Sequence, residues 1–206
     1  MLYGVLRIIF WGAIFAFTFL LIVKRTKIAK KKSVIIASLA LCIFLGSISA
    51  LFPVENLFIN FESPESVLHY YQNGEAKDTI YGRNSCMIIY SERGNLGGYF
   101  IVPKSAKGYK IPSLFSVRRV AHRFDQEGNF SVYNVLGTND YYIIGSILSK
   151  EKEISITDSN NNAVQNIVMK MGDTDTKTIL IYTFVDNHIS GYFLLINGKR
   201  IVVLND

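Results

Sequence analysis

The chain opens with Leu2–Val23, LYGVLRIIFWGAIFAFTFLLIV, followed by Lys24-Arg25-Thr26-Lys27-Ile28-Ala29-Lys30-Lys31-Lys32-Ser33 and then Val34–Phe52, VIIASLALCIFLGSISALF. The two apolar runs hold 22 and 19 residues. Roughly 20 residues cross a hydrocarbon core as a helix. Neither run has an acidic side chain, and their one charge, Arg7, lies close enough to an end for its stem to carry the guanidinium to the headgroups. The connector bears Lys24, Arg25, Lys27, Lys30, Lys31 and Lys32 with no acid among them. Short loops rich in Lys and Arg stay cytoplasmic. The expectation is a two-helix transmembrane hairpin over residues 1–52, with spans at 2–23 and 34–52 and a cytoplasmic loop at 24–33. Both termini then lie outside, as in a two-span, multi-pass protein of the plasma membrane.

Other readings of this region compete. Lys30-Lys31-Lys32 ahead of Val34–Gly46 and Ser47-Ile48-Ser49-Ala50 has the layout of a cleavable signal. The upstream span and the length of the run weigh against cleavage. Leu39-Ala40-Leu41-Cys42 has the outline of a lipoprotein box, but Leu41 stands where a small residue belongs. Gly12-x-x-x-Ala16 and Gly46-x-x-x-Ala50 carry the small-residue spacing that lets helix backbones approach. That spacing predicts that the two helices pack on each other.

The formal net charge is +6. Residues 1–52 supply +7, while the rest carry 15 Lys and Arg against 16 Asp and Glu, a net of −1. The basic balance is therefore a topology signal. A nucleic-acid-binding protein would hold its excess in the folded part, so no nucleic-acid partner is expected.

Residues 53–206 suffice for one extracytoplasmic β-rich domain. Pro53–Phe61 is apolar enough to lie along the membrane or to form a first strand. Ser63-Pro64-Glu65-Ser66-Val67-Leu68-His69-Tyr70-Tyr71-Gln72-Asn73-Gly74 then reads as one amphipathic helix. Ser63 caps it, Pro64 suits its first position, Glu65 complements its dipole and Gly74 closes it in a left-handed conformation. Beyond Gly74 the chain is extended in pattern. Ser85–Ser91, Gly98–Pro103, Leu114–Phe124, Phe130–Leu136, Tyr141–Leu148, Glu153–Asp158, Ala163–Met171, Thr178–Asp186, Ile189–Ile196 and Arg200–Leu204 read as strands. Turn residues separate them: Gln126-Glu127-Gly128-Asn129, Asn160-Asn161-Asn162, Asp186-Asn187 and Asn197-Gly198. The last is the favoured two-residue hairpin connection. Loops this short make the strands antiparallel. The fold class read here is membrane-anchored and mainly β: a transmembrane hairpin, then an antiparallel β-sandwich-like domain with one short helix over an open end. An internal similarity, Ile88-Ile89-Tyr90 with Gly98-Tyr99-Phe100 against Ile181-Tyr182 with Gly191-Tyr192-Phe193, raises a duplication of two β halves.

Chemistry-bearing residues are sparse. Cys86 is the one cysteine beyond the apolar runs, so the domain has no disulfide framework. That composition fits an exported domain of a bacterial envelope. In Ser85-Cys86-Met87-Ile88-Ile89 the thiol reads as buried and inert. His69, His122 and His188 share no metal-ligand spacing, and neither cofactor nor metal is expected. Ser116, His122 and Asp125 contain the ingredients of a triad, but a strand cannot fold them onto one another. Gly94-Asn95-Leu96-Gly97-Gly98 links two strands, which makes it a hairpin and not a phosphate cradle. The remaining cluster is Arg118-Arg119-Val120-Ala121-His122-Arg123. Strand alternation puts Arg118 and His122 on one side and Arg119 and Arg123 on the other. These four are the expected contacts for an anion or lipid headgroup; the competing reading is an edge strand guarded by its charges.

The function expected is that of a non-enzymatic integral membrane protein. Its exported domain would bind a partner, such as an envelope or membrane protein, or help assemble an envelope complex. Two alternatives belong to other classes. One is an envelope hydrolase or transferase built from scattered Asp, Glu and Ser. The other is a sensory or self-protection protein acting through its spans.

Overall fold

The computed structural model describes all residues except 1, 27–31, 50, 126–127, 152, 171–175, 188–190 and 204–206. The first apolar run forms helix α1 (Leu2–Thr26) and the second α2 (Lys32–Ser49). Over Arg7–Lys24, α1 is long and apolar enough to cross a membrane, whereas the described apolar stretch of α2, Ile36–Ile48, is shorter. The two helices pack side by side where both are reduced to glycine. A Cβ on Gly46 would stand 3.3 Å from the Gly12 backbone nitrogen. Ala50, Lys27, Lys30, Lys31 and the turn residues Gln126 and Glu127 lie outside the described residues.

Pro53–Phe61 is not a strand. Val54–Leu57 make one turn of 3-10 helix, and Phe61 forms a single bridge to Tyr109. Arg7 is only 5% exposed. Its Nε donates to both carboxylate oxygens of Glu55, at 2.8 and 2.7 Å. The stem thus turns toward the start of the β domain instead of snorkelling freely, and the ion pair fixes α1 to that domain.

Helix α3 (Pro64–Tyr71) begins as its sequence dictates, with the Ser63 hydroxyl accepting from the Ser66 amide at 3.2 Å. Its end differs from expectation. Gln72 turns the chain at an extended φ of −155°, so no left-handed glycine is used. Gly74 is small for another reason: a Cβ there would lie 2.9 Å from the Tyr90 ring.

Antiparallel strands follow in three sheets. The first contains β1 (Glu75–Tyr81), β2 (Ser85–Glu92), β3 (Asn95–Ser105) and β4 (Gly108–Tyr109), in that order. Strand β1 escapes a sequence reading because it is a polar edge strand with a bulge at Lys77. The second sheet runs β5 (Val117–Asp125), β6 (Gly128–Val135), β7 (Asp140–Ser149), β10 (Lys177–Asp186), β9 (Gln165–Lys170). The third runs β12 (Lys199–Val202), β11 (Phe193–Ile196), β8 (Ile156–Asp158). Asn197 and Gly198, at φ 50° and 79°, join β11 to β12 as their type predicts.

The domain is a stack with more layers than a two-sheet sandwich. Val67 and Leu68 of α3 cover Cys86, Ile88 and Val102 on one face of the first sheet, so the helix caps a sheet face and not an open end. The opposite face, Met87, Ile89 and Ile101, packs on Tyr142, Ile144, Leu180 and Tyr182 of the second sheet. The far side of that sheet, including Phe130, Ile143, Ile179 and Ile181, packs on Leu194, Ile196 and Ile201 of the third. Lying between two sheets, β7 and β10 are apolar on both faces. Their sequences therefore run YYII and ILIY without alternation. The suspected duplication does not survive: β2 and β3 form one hairpin, whereas β10 and β11 belong to different sheets.

Candidate functional site

The basic strand β5 is the edge of the middle sheet and, among the described residues, pairs only with β6. The register jumps between Arg119 and Ala121, leaving Val120 without a partner. A bulge inserts one residue and resets the alternation beyond it. The expected grouping is therefore exchanged. Arg119 lies opposite Tyr133 and His122 opposite Ser131, both on the face toward the first sheet. Arg118 lies opposite Asn134 and Arg123 opposite Phe130, on the face toward the third.

The four residues consequently do different things. Arg123 reaches across to β12 and donates to the Val202 carbonyl at 2.9 Å. Arg118 is exposed on that same face and apart from the other pair. Arg119 and His122 meet in an open cleft of about 310 Å³, together with Gly98, Tyr99, Asn129, Ser131 and Tyr133. The His122 Nδ1 lies 3.0 Å from the Ser131 hydroxyl, a hydrogen bond that orients the ring. Arg119 is exposed and has no hydrogen-bond or ion-pair partner among the described residues. The bulge and the charges also protect β5 from pairing with a stray strand, as the guarded-edge reading expects.

Sequence reasoning passes over the cleft's tyrosines. Tyr99 of β3 donates to Tyr133 of β6, joining the first sheet to the second at the back of the cleft. Burial first, and then this hydrogen bond, push the Tyr99 phenol above its ordinary range, against the lowering influence of Arg119. The Tyr99 ring thus remains a neutral hydroxyl carrier beside an arginine. The same two tyrosines also line a second cavity, about 450 Å³, which continues past Phe100, Pro112 and Leu114 to Leu51 and Arg7.

A second polar group lies at one end of the middle sheet, where Asp140 and Asp186 are direct cross-strand partners. Asp140 is wholly buried. Its Oδ2 accepts from the Ser85 hydroxyl at 2.5 Å and from the Asn84 amide at 2.8 Å, and Ser85 sits 2.9 Å from the Tyr142 hydroxyl. Asp186 pairs with Arg83. Two like charges face to face would repel; Arg83 and Asn84, between β1 and β2, together with Ser85 at the start of β2, tie them down. The arrangement clamps the first sheet to the second, and neither carboxylate lines either cavity above.

The triad ingredients are not assembled: His122 bonds Ser131, while Ser116 bonds Ser113. The Asp125 side chain and His188 lie outside the described residues. No group of three or more His, Cys, Asp and Glu suited to a metal is found among the described residues.

Cys86 is wholly buried beneath α3. Burial, and secondarily the Glu65 carboxylate, push its thiol up to about 12. Between the free thiol's value of about 8.5 and that point, the folded chain keeps a proton that the unfolded chain releases. Stability therefore falls as pH rises through this window. An aromatic disulfide reagent at pH 8 is expected to leave Cys86 untouched in the native protein and to titrate it only in denaturant; rapid native reaction would contradict its burial.

No protein-family model, curated protein or solved structure matches this chain.

Proposed function

We propose that the chain is a non-enzymatic membrane protein whose β domain stands outside the plasma membrane and binds an anionic group of a partner through Arg119 and His122. One observation carries this reading: an exposed arginine with no counter-ion among the described residues shares an open cleft with an oriented imidazole, a serine, an asparagine and two tyrosine hydroxyls. A guanidinium with convergent hydroxyl donors suits a carboxylate or phosphate.

The anchoring half of the proposal takes α1 and α2 as a transmembrane hairpin. Its support is the six-cation connector and the apolar surface along both helices. Arg7 near the start of α1 pairs with Glu55 just after α2, a contact that supports an N-terminus on the same side as the β domain. Leu57 and Phe58 are 78% and 75% exposed, and Leu114 and Phe115 stand out of the 112–116 loop, with Phe115 touching Phe52. Such a collar at a helix end suits the interfacial layer of a bilayer. The bacterial envelope assignment rests on the disulfide-free composition.

The test is calorimetric titration of the full chain in lipid nanodiscs with inorganic phosphate and with polyglutamate. Binding that weakens with salt is expected, about tenfold weaker in Arg119→Ala and unchanged in Arg118→Ala. Equal affinities in wild type and Arg119→Ala, or no binding of either anion, would overturn the proposal.

A further inference from the structure

Strand β3 is the exposed side of the first sheet for most of its length. It pairs with β2 throughout, but β4 joins it only at Lys104 and Ser105. From Gly98 to Ile101 its outer backbone groups have no partner among the described residues. An unpaired edge is a template for another strand, and edges are ordinarily blunted by charge, proline or a bulge aimed away. Here Gly98-Tyr99-Phe100-Ile101 carries no charge and no proline. The bulge of β3, at Gly97, lies just before this segment, whereas β5 carries arginines and a bulge within its edge.

The space beside this edge is open. The 450 Å³ cavity runs between Tyr99, Phe100 and Ile101 on one side and Pro112, Ser113, Leu114 and Val117 on the other. Next to it, on the far side of the Tyr99–Tyr133 pair, lies the cleft holding Arg119 and His122. A slot at a free strand edge, with a cation in the adjoining cleft that has no partner among the described residues, defines one kind of occupant. Main-chain pairing supplies affinity in such recognition, and flanking pockets for side chains supply selectivity.

We infer that the free edge of β3 from Gly98 to Ile101 receives, as an added strand, an extended segment of a partner protein carrying an acidic side chain for Arg119. This rests on the anion-binding reading above and specifies its partner as a polypeptide. Leu51 and Leu114 at the other end of the slot bring it to the apolar collar, so the segment fits a partner lying close to the same membrane.

The experiment uses the full chain in nanodiscs and three probes: a short peptide alternating valine and glutamate, the same peptide N-methylated at alternate backbone nitrogens, and inorganic phosphate. Affinity is read by calorimetry and the site by amide hydrogen exchange. The acidic peptide is expected to slow exchange at Gly98–Ile101. It should bind about tenfold more weakly to Arg119→Ala and lose binding on N-methylation. Phosphate binding without peptide binding would overturn strand addition and leave the anion reading standing. Methylated peptide binding as well as the parent, or protection elsewhere than β3, would also overturn it. Protection of β3 by self-association of the chain would replace the partner with a second copy and equally overturn the inference. Failure of both peptide and phosphate would remove both readings together.

Discussion

Replacing Gly145 by alanine is expected to lower the stability of the β domain by about 3 kcal/mol, the upper end of what forced overpacking costs. Gly145 lies in β7 directly opposite Phe130 of β6. One edge of the phenyl ring crowds the glycine: an added Cβ would meet its Cδ1 at 2.1 Å, its Cε1 at 2.6 Å and the Asn129 carbonyl oxygen at 2.8 Å. The ring cannot step aside, because Phe130 is 1% exposed in the core between the second and third sheets. Removing a glycine also narrows the unfolded ensemble, but by only about 0.4–1 kcal/mol, so the clash decides the sign. At about 2–4 °C per kcal/mol for a domain of this size, the melting temperature should fall by about 6–12 °C. Adding Phe130→Leu removes the ring edge that clashes. The double variant should then lose less than the sum of the two single losses, the signature of direct contact. Additive losses would place the strain elsewhere.

The second large effect is expected at Asp140. Asp140→Ala removes the acceptor of the Ser85 hydroxyl and the Asn84 amide in a site with no solvent access. Leaving a buried donor unsatisfied costs about 1–3 kcal/mol, so about 3 kcal/mol is expected for the pair. The clamp between the first two sheets should loosen with it, and backbone amides around Asn84 and Ser85 should exchange faster. Asp140→Asn separates acceptor from charge. Its carbonyl can accept both bonds while its amide takes the place of Oδ1, which has no partner among the described residues. It also removes one of two facing negative charges. A loss below about 1 kcal/mol is expected. Equal losses for the two variants would mean that the charge, and not the hydrogen bonds, holds the sheets together.

Much of the fold is legible because it is written in local chemistry. Ser63-Pro64 starts α3, and Asn197-Gly198 turns β11 into β12. What failed depended on contacts distant in sequence. Gly74 reads as a helix stop but is kept small by Tyr90, a residue of another element. The stacking of three sheets shows in sequence only as the unalternating runs of β7 and β10, which are equally compatible with a two-sheet sandwich. The site divides in the same way. Alternation identified the basic strand, but Val120 bulges out and exchanges the partners of Arg119 and His122. Counting back along the hairpin from Asp125 opposite Gly128 places His122 opposite Ser131. That half of the cleft was therefore within reach of the sequence. Tyr99 was not, because its meeting with Tyr133 exists only once two sheets have docked.

In the proposed topology the Arg119–His122 cleft lies open on the outer side of the membrane. Its most direct test is thiol labelling of His122→Cys in intact cells with a membrane-impermeant maleimide, with Lys24→Cys at the opposite end of α1 as the internal comparison. The two native thiols, Cys42 and Cys86, are buried. Position 122 is expected to label in intact cells and position 24 only after permeabilisation. Labelling at 24 from outside, with 122 reached only after permeabilisation, would reverse the orientation and contradict an extracytoplasmic binding role.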